Sequence, residues 1–209
     1  GATNLLVVNG SAAADVFLTR ADHIAALGLV AALSGLDASG HYTHAEKVVY
    51  GTAMTGGVVV NGLGGDDTFA LDDSLTVLTV NGGAGNDRVR VGQLYTAYLP
   101  DAEFGIAATE FFHSTRGDLS NGVSYAASIS GGTGDDLFEI FRNRGPLQLN
   151  GDAGDDTFII RTFVAESEVT ALNAGEGRDY IEYAANAPVA IDGGAGNDLV
   201  VVIGTEFDD

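Results

Sequence analysis

The chain has no cysteine, so no disulfide staples it and no thiol serves as nucleophile or soft metal ligand. Cations are scarce. Lys and Arg number 9 against 29 Asp and Glu, giving a formal net charge of −20 over 209 residues. That balance argues against polyanionic partners, both nucleic acid and anionic membrane surfaces. No apolar run reaches the roughly 18 residues of a membrane-spanning helix, so no membrane insertion is expected. Residue 1 is Gly and no signal peptide is visible, so the chain reads as part of something longer. Catalytic signatures are missing too: there is no Gly-x-Ser-x-Gly elbow, no phosphate-binding loop and no His-Glu-x-x-His helix.

What is present is a repeated turn. Residues 82–87 read Gly-Gly-Ala-Gly-Asn-Asp, and close copies stand at residues 131–136, 151–156 and 193–198. Looser copies stand at residues 62–67 and 174–179. Each copy closes on an aspartate: Asp67, Asp87, Asp136, Asp156, Asp179 and Asp198. Two residues later comes an apolar side chain: Phe69, Val89, Phe138, Phe158, Ile181 and Val200. Three of the intervals between these aspartates are 19 or 20 residues, one is 23 and one is 49. A period near 20 residues is the mark of a stacked repeat architecture.

The segments flanking the turns alternate apolar and polar residues with the period of half-buried strands. They are residues 58–60, 75–81, 88–92, 138–141, 157–163, 189–191 and 199–203. Stacking them in parallel at about 4.8 Å gives an expected all-β fold. It is a right-handed parallel β-helix or β-roll solenoid with coils of about 20 residues. The whole chain, 1–209, would be one such unit, with two breaks in its period. Residues 17–57 contain Ile24, Leu27 and Ala31 on one helical stripe, Thr19 or Asp22 as N-cap and Gly35 as a stop, so a short helical insertion is expected. Residues 92–127 carry Tyr95, Tyr98, Phe104, Phe111 and Phe112, and read as an aromatic excursion packed on the flank of the stack.

If every coil turns at the same corner, the aspartates form a column. Two bare carboxylates about 5 Å apart repel by roughly 3 kcal/mol at an effective dielectric near 20, so a column of them calls for a cation. Carboxylate and backbone carbonyl oxygens are hard ligands. Calcium accepts 6–8 of them in irregular geometry, whereas magnesium demands a regular octahedron. A hard cation, several Ca²⁺ ions rather than Mg²⁺, is therefore expected along the column.

The turns resemble the glycine-rich nonapeptide Gly-Gly-x-Gly-x-Asp-x-apolar-x of RTX (repeats-in-toxin, haemolysin-type) proteins, a motif associated with Ca²⁺. The resemblance implies a parallel β-roll or β-helix, bacterial secretion and folding on Ca²⁺ outside the cell. It also implies the six aspartates as ligands, completed by loop carbonyls. It covers about half of the chain. The β-roll repeats its motif every nine residues, whereas here the motif returns every 19 to 23. Only one corner of each coil carries it, as in the calcium-binding β-helical modules of large bacterial surface proteins and adhesins.

The residue before each turn is Asn61, Asn81, Asn150 or Asn173, with Ser130 and Asp192 as substitutes, and reads as a hydrogen-bonded ladder rather than a ligand set. Residues 9–17 repeat the offsets of Asn, Gly, Asp and Phe without the inner glycines, and residues 204–209 resemble the start of another turn. His41, His44 and Glu46 lack a third firm zinc ligand, Arg116-Gly117-Asp118 reads as a chance tripeptide, and the sequon at Asn9 reads as a plain turn. Arg88, Arg90, Arg142, Arg144 and Arg161 flank the turns and leave open a polysaccharide lyase or epimerase. The function expected first is that of an extracellular, calcium-binding structural or adhesive module on a bacterial surface, without enzymatic activity. Its partners would be copies of itself or neighbouring repeats stacked head to tail, and a cell-surface or matrix ligand. A module displaying its aromatic insertion to a partner is the other alternative.

Overall fold

The computed structural model describes residues 3–27, 38, 45–51, 53–95, 111–115, 117–161, 170–184 and 189–204. It forms twenty strands and, among the described residues, no helix. The first large sheet runs β1 (Leu5–Asn9), β5 (Gly57–Gly64), β7 (Leu78–Ala84), β11 (Ala127–Thr133), β13 (Leu147–Ala153), β15 (Thr170–Asn173), β18 (Val189–Asp192). Two short strands, β16 (Glu176–Gly177) and β19 (Ala195–Gly196), continue it. The second runs β20 (Leu199–Ile203), β17 (Tyr180–Ala184), β14 (Thr157–Ile160), β12 (Leu137–Ile140), β8 (Arg88–Val91), β6 (Thr68–Leu71), β2 (Val16–Arg20), β3 (His23–Leu27), β4 (Ala45–Val49). A separate antiparallel pair joins β9 (Phe111–Ser114) and β10 (Gly117–Ser120).

The expected right-handed parallel β-helix or β-roll solenoid with a helical insertion is thus corrected. The fold is three sheets, two of them large and mostly parallel and one small and antiparallel, and the expected helix is a strand. Residues 23–27 form β3, paired antiparallel to β2 with Arg20 opposite His23, and Ala21 and Asp22 make the hairpin turn. The reason lies in burial on both faces. Ile24 and Ala26 enter the main core, while Ala25 and Leu27 enter a second cluster with Leu18 and Ala70. A short apolar run buried on both sides carries no period, so helix and strand look alike in sequence. Ala31 and Gly35 lie outside the described residues.

Each repeated turn joins a strand of the first large sheet to one of the second, and such a pair is called a tier here. Successive tiers pair in parallel and in register: Asn61 lies beside Asn81, then Ser130, Asn150, Asn173 and Asp192. In the second sheet Phe69, Val89, Phe138, Phe158, Ile181 and Val200 share one row. Inward residues of both sheets form one core, in which the rings of Phe138 and Phe158 stack with centroids 4.6 Å apart. The apolar residue two places after each aspartate is therefore the side chain that holds tier on tier.

Candidate functional site

The turn forces its own chemistry. Glycines at the left-handed positions, such as Gly83 (φ 118°) and Gly85 (φ 128°), bend the chain where other residues are strained. The bend turns the closing aspartate inward. Asp67, Asp87, Asp136, Asp156 and Asp179 are all buried, and Asp198 is half-buried at the end of the row.

Within the row each carboxylate is tied to the tier before it. Oδ1 of Asp87 accepts the backbone N–H of Asp67 at 2.8 Å, and Oδ1 of Asp136 accepts that of Asp87 at 2.7 Å. Asp156 accepts from Asp136, and Asp179 from Asp156, both at 2.8 Å. The row begins at Asp15, whose N–H donates to Asp67 at 2.7 Å, and ends with Asp179 donating to Asp198 at 3.2 Å. The residue before each aspartate makes a second ladder of opposite sense. Asn86 N–H donates back to Asp66, Asp135 to Asn86, Asp155 to Asp135 and Arg178 to Asp155, all at 2.8–2.9 Å.

The second carboxylate oxygen is the anomaly. Oδ2 of Asp67, Asp87, Asp136, Asp156 and Asp179 is buried without a hydrogen-bond donor. A Cβ placed on Gly62 would lie 2.1 Å from Asp67 Oδ2 and 2.4 Å from the carbonyl oxygen of Gly82. One on Gly151 would lie 2.2 Å from Asp156 Oδ2 and 2.0 Å from the Ala174 carbonyl. Gly82 and Gly131 stand in the same relation to Asp87 and Asp136. At Gly62, Gly82, Gly131 and Gly151 two acceptor oxygens thus occupy the place of a side chain, whereas the turn at residues 174–179 carries Ala174 at that position. A buried carboxylate oxygen without a donor calls for a proton or a cation. Burial pushes the carboxyls of Asp67 and Asp87 up to about 6, and those of Asp136 and Asp156 up to about 7, with the backbone N–H bonds pulling the other way. Asp179 is raised by the same cause.

The first tier serves as an internal control. Asp15 sits at the equivalent place, and its Oδ2 accepts the N–H of Ser11 at 2.6 Å. The inner glycines are absent there, and the oxygen is satisfied. Where Ser11 is replaced by a residue at positive φ (Leu63, Gly83, Gly132, Asp152, Gly175), the oxygen is left without a donor.

The donor set fits a hard cation in one respect and constrains it in another. Each tier offers one buried carboxylate oxygen and, in four tiers, an adjacent carbonyl, and both are oxygen ligands of the kind calcium takes. Among the described residues no group of three or more His, Asp or Glu side chains is placed to hold a metal ion. A cation here would be held by one carboxylate per tier plus backbone carbonyls.

The remaining residues singled out in the sequence fall as follows. The asparagine row is a ladder at its start, with Asn81 Nδ2 donating to Asn61 Oδ1 and Asn61 Nδ2 to Asn9 Oδ1, both at 2.7 Å. Arg88 and Arg90 both reach Glu139, and Arg161 pairs with Glu182. Asp118 Oδ1 lies 2.5 Å from His113 Nδ1 at the β9–β10 hairpin, and Arg116 lies outside the described residues. So do His41 and His44.

One cluster escaped the sequence reading. The polar corner Asp72, Asp73 and Ser74 is buried. Asp72 accepts from Arg20 Nε at 3.0 Å, with both side chains almost fully enclosed. It also accepts the N–H of Tyr95 and the hydroxyl of Ser120, while Asp73 accepts from Asn121 and Ser124. Burial pushes Asp72 up to about 7 despite Arg20. The partners come from residues 20, 95 and 120–124, so no local pattern reveals the cluster.

Comparison with protein-family models, curated proteins and solved structures returned no match.

Proposed function

We propose that the chain is an extracellular structural repeat module whose turns take up calcium. The observation that carries this reading is the run of five buried Oδ2 atoms without donors on consecutive tiers. Asp67, Asp87, Asp136, Asp156 and Asp179 would hold the ions, helped by the carbonyls of Gly82, Gly131, Gly151 and Ala174. Asp198, on the last tier, would join them once a further tier covers it. The bound ion supplies positive charge between acceptors that otherwise repel. The chain's own contribution is a row of carboxylates held rigid through Oδ1, so that Oδ2 is presented without further ordering. Binding free energy then becomes folding free energy. The resemblance of the turns to RTX repeats supports calcium over other hard ions, and millimolar calcium outside cells supports the location.

Heating the metal-stripped chain at pH 8 in EDTA, in calcium and in magnesium tests the reading. It requires a higher melting temperature in calcium than in magnesium. Equal melting in all three would remove it.

One observation favours a second reading, display of a surface to a protein partner. The β9–β10 pair belongs to neither large sheet, and Phe112 is half-exposed on it, with the Arg142 guanidinium 5.0 Å from its ring centroid. The arginines that suggested a polysaccharide-modifying groove offer less, since Arg88, Arg90 and Arg161 are spent on Glu139 and Glu182.

A further inference from the structure

The two ends of the stack differ. At the N-terminal end the second large sheet continues past β2 into the antiparallel β3 and β4, which close the core over Phe17 (0 % exposed). At the C-terminal end β18 and β20 belong to the same tier, and among the described residues nothing lies over them. Val200 occupies the row of Phe138, Phe158 and Ile181, each 0 % exposed, yet Val200 is 44 % exposed. Val202, on the same inner face, is 54 % exposed.

The polar groups of this edge have a defined complement. In every internal tier the aspartate peptide makes two bonds to the tier that follows. Its N–H donates to the next aspartate's Oδ1, and its C=O accepts the N–H of the residue after that aspartate. For Asp156 these are Asp179 Oδ1 and Tyr180 N–H, both at 2.8 Å; for Asp179 they are Asp198 Oδ1 at 3.2 Å and Leu199 N–H at 2.8 Å. Asp198 repeats the geometry with no following tier among the described residues. It presents an N–H that calls for a carboxylate beside a C=O that calls for an N–H, next to an uncovered apolar row.

We infer that the C-terminal edge formed by β18, Asp198 and β20 is a docking site for one further strand–turn–strand repeat of the Gly-Gly-x-Gly-x-Asp-x-apolar kind. The incoming aspartate would cap the Asp198 N–H, the N–H of the residue after it would meet the Asp198 carbonyl, and its apolar residue would cover Val200. A second copy stacked flush through its own N-terminal end does not fit. The edge of β2 that would meet β20 is taken by β3, so that end is stepped while this one is flush. The inference stands on strand pairing and burial and does not require bound calcium.

The test uses the whole chain with a synthetic peptide of one internal repeat, residues 147–160, at millimolar concentration, with and without calcium. Hydrogen exchange of the amides of residues 198–203 is the readout. The peptide is expected to slow their exchange. A peptide carrying Asp156→Ala should bind about tenfold more weakly or worse, the loss of one charge-assisted hydrogen bond. Chain carrying Val200→Lys, checked for an unchanged circular dichroism spectrum, should lose the protection. Three results would overturn the inference: no protection by the native peptide, equal protection by the Asp156→Ala peptide, or concentration-dependent self-association of the chain that protects β1 and β20 together. Failure of calcium binding alone would leave peptide protection intact in EDTA, so the two readings fail separately.

Discussion

The backbone N–H of Asp136 donates to Oδ1 of Asp156 at 2.8 Å, tying one tier forward to the next. The neighbouring pair runs backward, with Asp155 N–H donating to Oδ1 of Asp135 at 2.9 Å. Adjacent tiers are thus bonded in both senses at the corner, and the Oδ2 atom of Asp156 is left without a donor. The asymmetry between the two oxygens of one carboxylate governs how substitutions should behave.

Asp156→Asn keeps an acceptor for the Asp136 N–H and places an amide N–H near the Ala174 carbonyl that Oδ2 faces. In EDTA at pH 8 this variant should melt above the parent chain, and in calcium the order should reverse. Asp156→Ala removes the acceptor and strands a buried N–H, at a cost of about 1–3 kcal/mol in EDTA, and a larger loss is expected in calcium, where a ligand goes as well. Thermal melts of the three chains with and without calcium decide the point.

The metal-stripped chain should lose stability as pH rises. The folded-state values for Asp67 and Asp87 are about 6, and for Asp136 and Asp156 about 7, all above the ordinary 3.8. Raised carboxyls mean that the folded state holds its protons longer than the unfolded one. Their protonated, stabilising state is complete below about pH 4 and is lost as pH passes through 6 and 7. Urea unfolding in EDTA should therefore give a higher midpoint at pH 5 than at pH 8. The Asp136→Asn, Asp156→Asn double variant should flatten the slope, and a parent-like slope in that variant would contradict the assignment.

Gly151→Ala would put a methyl group 2.2 Å from Asp156 Oδ2 and 2.0 Å from the Ala174 carbonyl, so carboxylate or backbone must move. A loss of at least about 2 kcal/mol is expected, at the upper part of the range for overpacking. Gly51 has nothing within 4 Å of the same methyl position, so Gly51→Ala should be close to neutral. Chemical denaturation of the two variants compares them directly.

Asp72→Ala leaves the Arg20 guanidinium buried without the carboxylate 3.0 Å away. Removing one partner of an enclosed ion pair costs about 3–5 kcal/mol, and the effect should be indifferent to calcium because the pair lies away from the aspartate row. A calcium-dependent loss would show that the two corners are coupled.

The parts of the fold legible in the sequence are those with one buried face. Val58 and Val60, or Phe158 and Ile160, alternate with outward residues, and their strands lie where the alternation puts them. The strand entering the turn at residues 82–87 begins at Leu78 rather than at residue 75 and continues through Ala84, because the glycine backbone itself pairs with the next tier. The alternation fails at β3, where Ala25 and Leu27 are buried on the outer side, so the sequence there fits a helical stripe as well as a strand. The aspartate row was legible from spacing alone. Which of its oxygens bonds to the backbone was not, since that depends on the peptide orientation at positive-φ residues such as Gly132. The Arg20–Asp72 pair was invisible for a different reason: 52 residues separate its members, and only the folded register unites them.

Calcium uptake by the Oδ2 row is decided by counting the ions. The stripped chain would be equilibrated with calcium at pH 8, freed of excess on a desalting column, and analysed for calcium per mole by mass spectrometry. The account predicts several ions per chain, fewer in the Asp87→Asn, Asp136→Asn, Asp156→Asn triple variant. Less than one ion per chain, or the same number in the triple variant, would contradict it.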